Sequence, residues 1–350
     1  MRAGEQLDWA RVSTYLQQHL PARRIPGLDL SREPLVAQFH GGHSNLTYLL
    51  RYDDLELVLR RPPLGPLPPT AHDMAREYRW LDAIHPRFPL APRTYLLCED
   101  AAIAGAPFYV MERRHGLVVR AEEPPQLADR PAERRRVSRA MIDTLADLHA
   151  IDIRAEGLAH LGKPAGFVER QVRGWTERWL RSKTDEIPEM DALAAWLPAR
   201  LPPNADPPAI VHGDFKLDNV MLDPADAGRL VAVFDWEMTA LGDPLVDLGI
   251  FLAYWSHGMR LEPNDALASV TDRPGWFSRD EVIDCYAEKS GRDLSRLPFY
   301  EAFALFKVAV VIQQIYFRYQ RGQTTDERFA QFDVRVRHLA RKAVEATLTA

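Results

Sequence analysis

Within the 350 residues, the side chains best suited to chemistry crowd into His212-Gly213-Asp214-Phe215-Lys216-Leu217-Asp218-Asn219. Asp214 can accept the proton of an attacking hydroxyl, and Asn219, five positions on, can hold the magnesium that neutralises phosphate charge. That spacing points to a kinase-type phosphoryl transfer.

Such a loop must be held by buried elements. Ala209, Ile210 and Val211 precede it and Val220-Met221-Leu222 follows it, so it is bracketed by short apolar runs that read as buried strands. After the turn residues Asp223, Pro224 and Gly228, a third run, Leu230 to Phe234, ends at Asp235. A carboxylate at a strand end is well placed for a metal. Asn219 and Asp235 are therefore the expected magnesium ligands, although an Asp there can also simply start a turn.

The octet, followed by Phe234-Asp235-Trp236-Glu237 and then by Gly242-Asp243-Pro244 and Asp247, resembles the aminoglycoside phosphotransferase family, whose fold is similar to that of protein kinases. The resemblance implies an α+β, bilobal architecture: a small antiparallel sheet with one main helix, then a larger and mostly helical lobe. The expected lobes are residues 1–112, including an N-terminal helix, for nucleotide binding, and 113–350 for catalysis and acceptor binding. A helical insertion is expected at about 157–208.

The N-terminal half carries matching features. In Phe39 to Tyr48, Gly41 and Gly42 let the backbone approach a phosphate, and the amides through His43, Ser44 and Asn45, with the Ser44 hydroxyl, can donate to its oxygens. A Gly-Gly pair also suits any hairpin. The strand Leu55 to Arg60 ends in a cation where the kinase fold keeps a phosphate-pairing lysine. Arginine departs from that pattern; it stays charged and grips two oxygens at once, so it alters the geometry of phosphate binding. The resemblance implies an acidic partner, and Glu77 on a helix from His72 to Ile84 is the candidate, unless it is an exposed helix carboxylate. It also implies a hinge after Pro107 to Glu112, with adenine bonding to backbone near Glu112 and Arg114.

Further roles follow. Lys216 can stabilise the transferring phosphoryl or be a surface lysine. His212 is expected to brace the loop, Asp247 to hold its amides, and His149 to be a satisfied, half-buried histidine. Glu237 would share a side with Asp235 if the strand continued, and so join the metal's outer shell. Lysines and arginines number 44 against 49 acids, a net charge of −5, which gives no reason to expect nucleic acid. Cys98 and Cys285 lack ligand spacing and suggest free thiols in a reducing, cytoplasmic setting. Near the start, Trp9, Val12, Tyr15 and Leu16 recur as a helix face rather than a signal core. The apolar stretch Phe299 to Tyr319 is interrupted by Lys307, Gln313 and Gln314 and reads as a buried helix, not a membrane span.

Two rival readings stand beside the kinase. One is a nucleotide-binding pseudokinase, suggested by Arg60; the other is a metal-dependent hydrolase with His212 and Asp214 as joint ligands. The expected partners of the kinase are ATP, Mg²⁺ and a small-molecule hydroxyl acceptor. The combination of Gly-Gly-x-Ser-Asn-x-Thr-Tyr with Val-Leu-Arg-Arg-Pro-Pro and Asp-Trp-Glu resembles the branch fused to acyl-CoA dehydrogenases. A hydroxyacyl-CoA-like acceptor, rather than an aminoglycoside, is what that resemblance implies. Arg318 and Arg321 can meet an anionic acceptor or be ordinary surface arginines.

Overall fold

The computed structural model describes residues 6–20, 25–39, 45–63, 73–255 and 270–349. They form two compact units: one runs to His115 and adds Val231–Glu237, the other comprises Gly116–Leu230 and the chain from Met238 onward. The segment ending in Asp235 and Glu237 thus belongs with the N-terminal residues, which chain order alone does not suggest.

In the first unit, helix α1 (Trp9–His19) starts where the Asp8 carboxylate accepts the Arg11 amide. Strands β1 (Leu35–Gln38), β2 (Leu46–Tyr52) and β3 (Leu55–Arg61) follow, then α2 (Met74–Ile84), β4 (Thr94–Cys98), the one-turn α3 (Ala101–Ala104) and β5 (Phe108–Glu112). They make a five-stranded antiparallel sheet in the order β1-β2-β3-β5-β4. Asp53, at φ 48, allows the tight turn that pairs Tyr52 with Leu55. Val12 and Leu16 of α1 pack with Tyr48, Leu50, Leu59 and Phe108 in the core of this unit. Register places Arg60 between Thr47 and Tyr109 on the neighbouring strands. The expected helix from His72 begins at Met74, because Asp73 caps it by accepting the Arg76 amide.

The second unit is mostly helical. It holds α4 (Pro131–His149), α5 (Phe167–Ser182), α6 (Pro188–Ala199), β6 (Ala209–Val211) and β7 (Val220–Leu222). Strand β8 (Leu230–Val233) carries the chain out of it; β9 (Ala240–Gly242) and helices α7 (Leu245–Trp255), α8 (Arg279–Ser290), α9 (Leu297–Gln320) and α10 (Phe332–Thr347) complete it. The two helices α5 and α6 occupy the stretch read as a helical insertion. Strands β6 and β9 pair antiparallel, so the chain enters the octet from one strand of a fixed pair. Helix α9 is, by length and composition, apolar enough to cross a membrane, yet 72% of its most apolar stretch is buried inside the protein. It packs against α5, α7 and α10, which explains its composition as that of a core helix.

The α7–α9 contact depends on a glycine. A Cβ on Gly249 would lie 2.6 Å from the Tyr300 carbonyl oxygen, which is backbone and cannot swing away. Alanine gains about 1 kcal/mol of helix propensity, but forced overpacking costs about 1–3 kcal/mol. Gly249→Ala is therefore expected to lower stability by up to about 2 kcal/mol in urea unfolding; a stabilised variant would show that the two helices separate easily.

Candidate active site

The octet's geometry is built from its neighbours. Asp247, on the first turn of α7, accepts the amides of His212 at 2.6 Å and Gly213 at 2.7 Å. Burial opposes the charge of Asp247, but a hydrogen bond from His149, the nearby imidazoles of His149 and His212, and the Gly213 amide hold its carboxyl below the usual range. His149 is fully buried rather than half-buried; one ring nitrogen meets Asp247 at 3.2 Å and the other meets the Tyr286 hydroxyl at 2.7 Å. One helical turn beyond Asp247, Phe251 packs against Phe215, with ring centroids 6.1 Å apart. One face of α7 therefore grips the loop by both backbone and side chain.

Gly213 has φ +85, and a Cβ there would sit 2.9 Å from the Met238 carbonyl oxygen, so the turn requires glycine. His212 is fully buried, and its Nδ1 accepts the Asp214 amide at 3.2 Å. That brace engages the Nδ1 side of the ring with the loop's own backbone.

Asp214 and Lys216 stand at the accessible end of the loop, each about one-fifth exposed, with Lys216 Nζ 2.9 Å from Asp214 Oδ2. Lys216 also lies 4.7 Å from the centroid of the Tyr254 ring. Burial disfavours its charge, but Tyr254, Asp214 and Asp218 raise its pKa on balance. The Asn219 Nδ2 donates twice to Asp214, to its carbonyl and to Oδ2, both at 2.9 Å. Both amide hydrogens are thereby used, and Oδ1 is the remaining polar atom of the side chain. Tyr254 had no motif to announce it.

The first unit contains a second cluster, centred on Arg60. Its Nη2 lies 2.9 Å from Asp235 Oδ1 and 3.8 Å from Glu237 Oε2; its Nε is 3.3 Å from Glu77 Oε2, an ion pair without hydrogen-bond alignment. Burial works against the guanidinium, but Glu77, Tyr109, Asp235 and Glu237 raise its pKa overall. Glu77 is 2% exposed, not the surface carboxylate its helical position also allowed.

Asp235 adopts φ +66. A strand cannot run through that conformation, so β8 stops at Val233 and Trp236–Met238 forms a 3₁₀ turn. The expected strand alternation of Asp235 and Glu237 therefore fails. Glu237 still reaches the cluster: its Oε2 accepts from Asn45 Nδ2 at 3.1 Å, and its carbonyl accepts from Arg76 Nη1 at 2.7 Å. Burial, then the Asp235 charge, push the Glu237 carboxyl up to about 7. Glu77, Asp235 and Glu237 thus surround the Arg60 guanidinium, and among the described residues no group of three or more His, Cys, Asp or Glu side chains is placed to hold a metal ion. Arg76 and Tyr109 were not legible as site residues, since neither belongs to a motif.

Of the expected phosphate-binding turn, Asn45 is buried at the start of β2, while Gly41, Gly42, His43 and Ser44 lie outside the described residues. At the expected hinge, the Glu112 amide is already donated to the Arg93 carbonyl at 2.8 Å. The Glu112 carboxylate accepts from the Arg93 amide and from Arg114 Nε, and Arg114 continues to the Pro89 carbonyl. These side chains brace the segment. Arg318 and Arg321 are both exposed, and Arg321 lies over Phe317 of its own helix.

A profile of the phosphotransferase enzyme family matches residues 36–282. The chain is 36% identical over 326 residues to acyl-CoA dehydrogenase family member 11 of Homo sapiens, covering 91% of this chain and 40% of that protein. The Rattus norvegicus protein of the same name is 35% identical over 323 residues, 91% of this chain and 41% of its own length. The chain thus spans about two-fifths of the length of these curated relatives. Among solved structures, a Ralstonia eutropha JMP134 protein described as a candidate aminoglycoside phosphotransferase superposes with a TM-score of 0.80 at 31% identity, covering 98% of this chain and 99% of that one. Spectinomycin phosphotransferase, solved with ADP and spectinomycin, shares the fold at a TM-score of 0.60 and 10% identity, over 97% and 99% of the two chains. With the family profile spanning most of its length and the kinase-like fold shared throughout, the chain belongs to the phosphotransferase enzyme family.

Proposed function

We propose that this phosphotransferase is an ATP-dependent small-molecule kinase that moves the γ-phosphoryl group to a substrate hydroxyl. The observation that carries the reading is the Asp214 carboxylate, held at the accessible end of a braced loop with Lys216 and Asn219 both bound to it at 2.9 Å. Asp214 orients the acceptor hydroxyl and takes its proton as the oxygen attacks. Lys216 offsets charge on the transferring phosphoryl. Arg60, kept cationic by Glu77, exchanges part of its pairing with Asp235 for phosphate oxygens. Asn219 and Asp235 are the residues that would hold Mg²⁺, which would supply neutralisation of phosphate charge.

The acceptor we propose is a hydroxyacyl-CoA-like metabolite. Its support is that relatives at 35–36% identity carry acyl-CoA dehydrogenase names, whereas the spectinomycin enzyme resembles this chain only in fold. Mass spectrometry of a metabolite extract incubated with ATP and the protein tests it. A gain of one phosphate on a hydroxyacyl-CoA is expected, and exclusive phosphorylation of added aminoglycosides would overturn it.

Asp214→Asn is expected to reduce phosphoryl transfer by about 10²- to 10⁴-fold while Mg·ATP binding by calorimetry stays intact. Undiminished turnover would sink the assignment, and a wild-type chain that binds nucleotide without transferring phosphate would be a pseudokinase. Arg60→Lys keeps the charge but loses the planar fork that meets both Asp235 and Glu77. A rise of about tenfold in the KM for ATP is expected, with kcat changed less, as befits the loss of about 1.4 kcal/mol of uniform binding.

A further inference from the structure

Lys307 sits midway along α9, inside the apolar stretch that its charge helps to distinguish from a membrane span. It is 6% exposed, and its Nζ donates to the Gly213 carbonyl at 2.6 Å, with the centroid of the Trp175 ring 5.4 Å away. A carbonyl and a ring face compensate a buried ammonium less fully than a carboxylate in contact would. Burial accordingly pushes the Lys307 pKa down to about 8; Asp214 and Asp247 favour its charge, while Lys216 and Arg178 oppose it. A methionine of similar volume would fill the space without that cost. Packing alone therefore does not account for a lysine.

The carbonyl it holds explains the choice. Gly213 C=O and Asp214 N–H belong to one planar peptide unit. Lys307 takes one end of that unit, and His212 Nδ1 takes the other at 3.2 Å. The preceding unit, which carries the Gly213 N–H, is held by Asp247 at 2.7 Å. With both planes pinned, Gly213 keeps its left-handed φ of +85 and the direction of the Asp214 side chain is set.

We propose that Lys307 is a positioning residue of the phosphoryl-transfer loop: through the Gly213 carbonyl it fixes the peptide plane that aims the Asp214 carboxylate. This role rests on the kinase reading given above, and the test separates the two. The 350-residue chain and its Lys307→Met variant are compared by amide hydrogen exchange across residues 212–219, by thermal unfolding, and by Mg·ATP hydrolysis with water as the acceptor. In that reaction the water oxygen bonds to the γ-phosphorus, the bond to the ADP oxygen breaks, and the water proton passes to Asp214, giving ADP and phosphate.

The expected result is that Lys307→Met melts no lower than the wild type, yet exchanges the 212–219 amides about tenfold faster. Its kcat should fall by about 10- to 100-fold, with the KM for ATP nearly unchanged, as expected for a misplaced catalytic group. Unaltered loop exchange, or a kcat loss matched by loss of folded protein, would overturn the proposal. If Lys307→Met does not fold, Lys307→Gln, which retains a donor without the charge, is read in the same way. Failure of both to fold assigns Lys307 to stability and also overturns it. A wild type that neither binds nor turns over Mg·ATP would remove the kinase reading, while loop exchange would still decide whether Lys307 holds the loop.

Discussion

The buried carboxylate of Asp247 is the constraint on which the octet depends. It has no solvent to stabilise its charge, so protein donors must do so, and they are the amides of His212 and Gly213 together with the His149 ring. The requirement works in both directions. The carboxylate needs two convergent amides, and a turn that presents them needs Gly213 at φ +85. Once that turn exists, the following residue, Asp214, emerges in one direction. The glycine, the buried aspartate and Asp214 are thus one device, assembled from a loop and a helix more than thirty residues apart in the chain.

Electrostatics organise the Arg60 cluster in a different way. Here the cation is the shared centre, and Glu77, Asp235 and Glu237 compete for it. The pairings are graded: Asp235 is closest, Glu77 is misaligned for a hydrogen bond, and Glu237 is more distant and turns to Asn45. Burial raises the Glu77 and Glu237 carboxyls, and the Arg60 charge, with the Asn45 hydrogen bond to Glu237, works against that rise. Arginine in place of lysine suits this arrangement, because its fork reaches Asp235 and Glu77 from different nitrogens.

Much of the fold was legible in advance because periodicity and composition are local properties. The apolar run in β3 and the helical spacing of Trp9, Val12, Tyr15 and Leu16 each report one element's burial; the strand expected over Leu55 to Arg60 forms over Leu55–Arg61, and the four spaced residues lie on α1. Helix α9 shows where locality needs help. Its composition alone also suits a lipid-spanning helix, and the few polar interruptions, Lys307 foremost, tipped the reading towards a core helix. Strand alternation through Asp235 failed, because a single left-handed residue ended the strand, and His149 proved fully buried rather than half-buried.

By itself the sequence determined the family and the residue types that could carry its chemistry: a carboxylate, a lysine and an amide at loop spacing, a second carboxylate behind a strand, and an arginine where a phosphate cation is expected. Those are choices of residue type at short separation, and short separations are readable. Tertiary structure alone decided which groups support them. Tyr109 stands beside Arg60 only through strand register, Arg76 holds Glu237 only because α2 packs where it does, and Lys307 reaches Gly213 from 94 residues away. No spacing rule links such residues, since burial and hydrogen-bond satisfaction are settled in three dimensions and not along the chain.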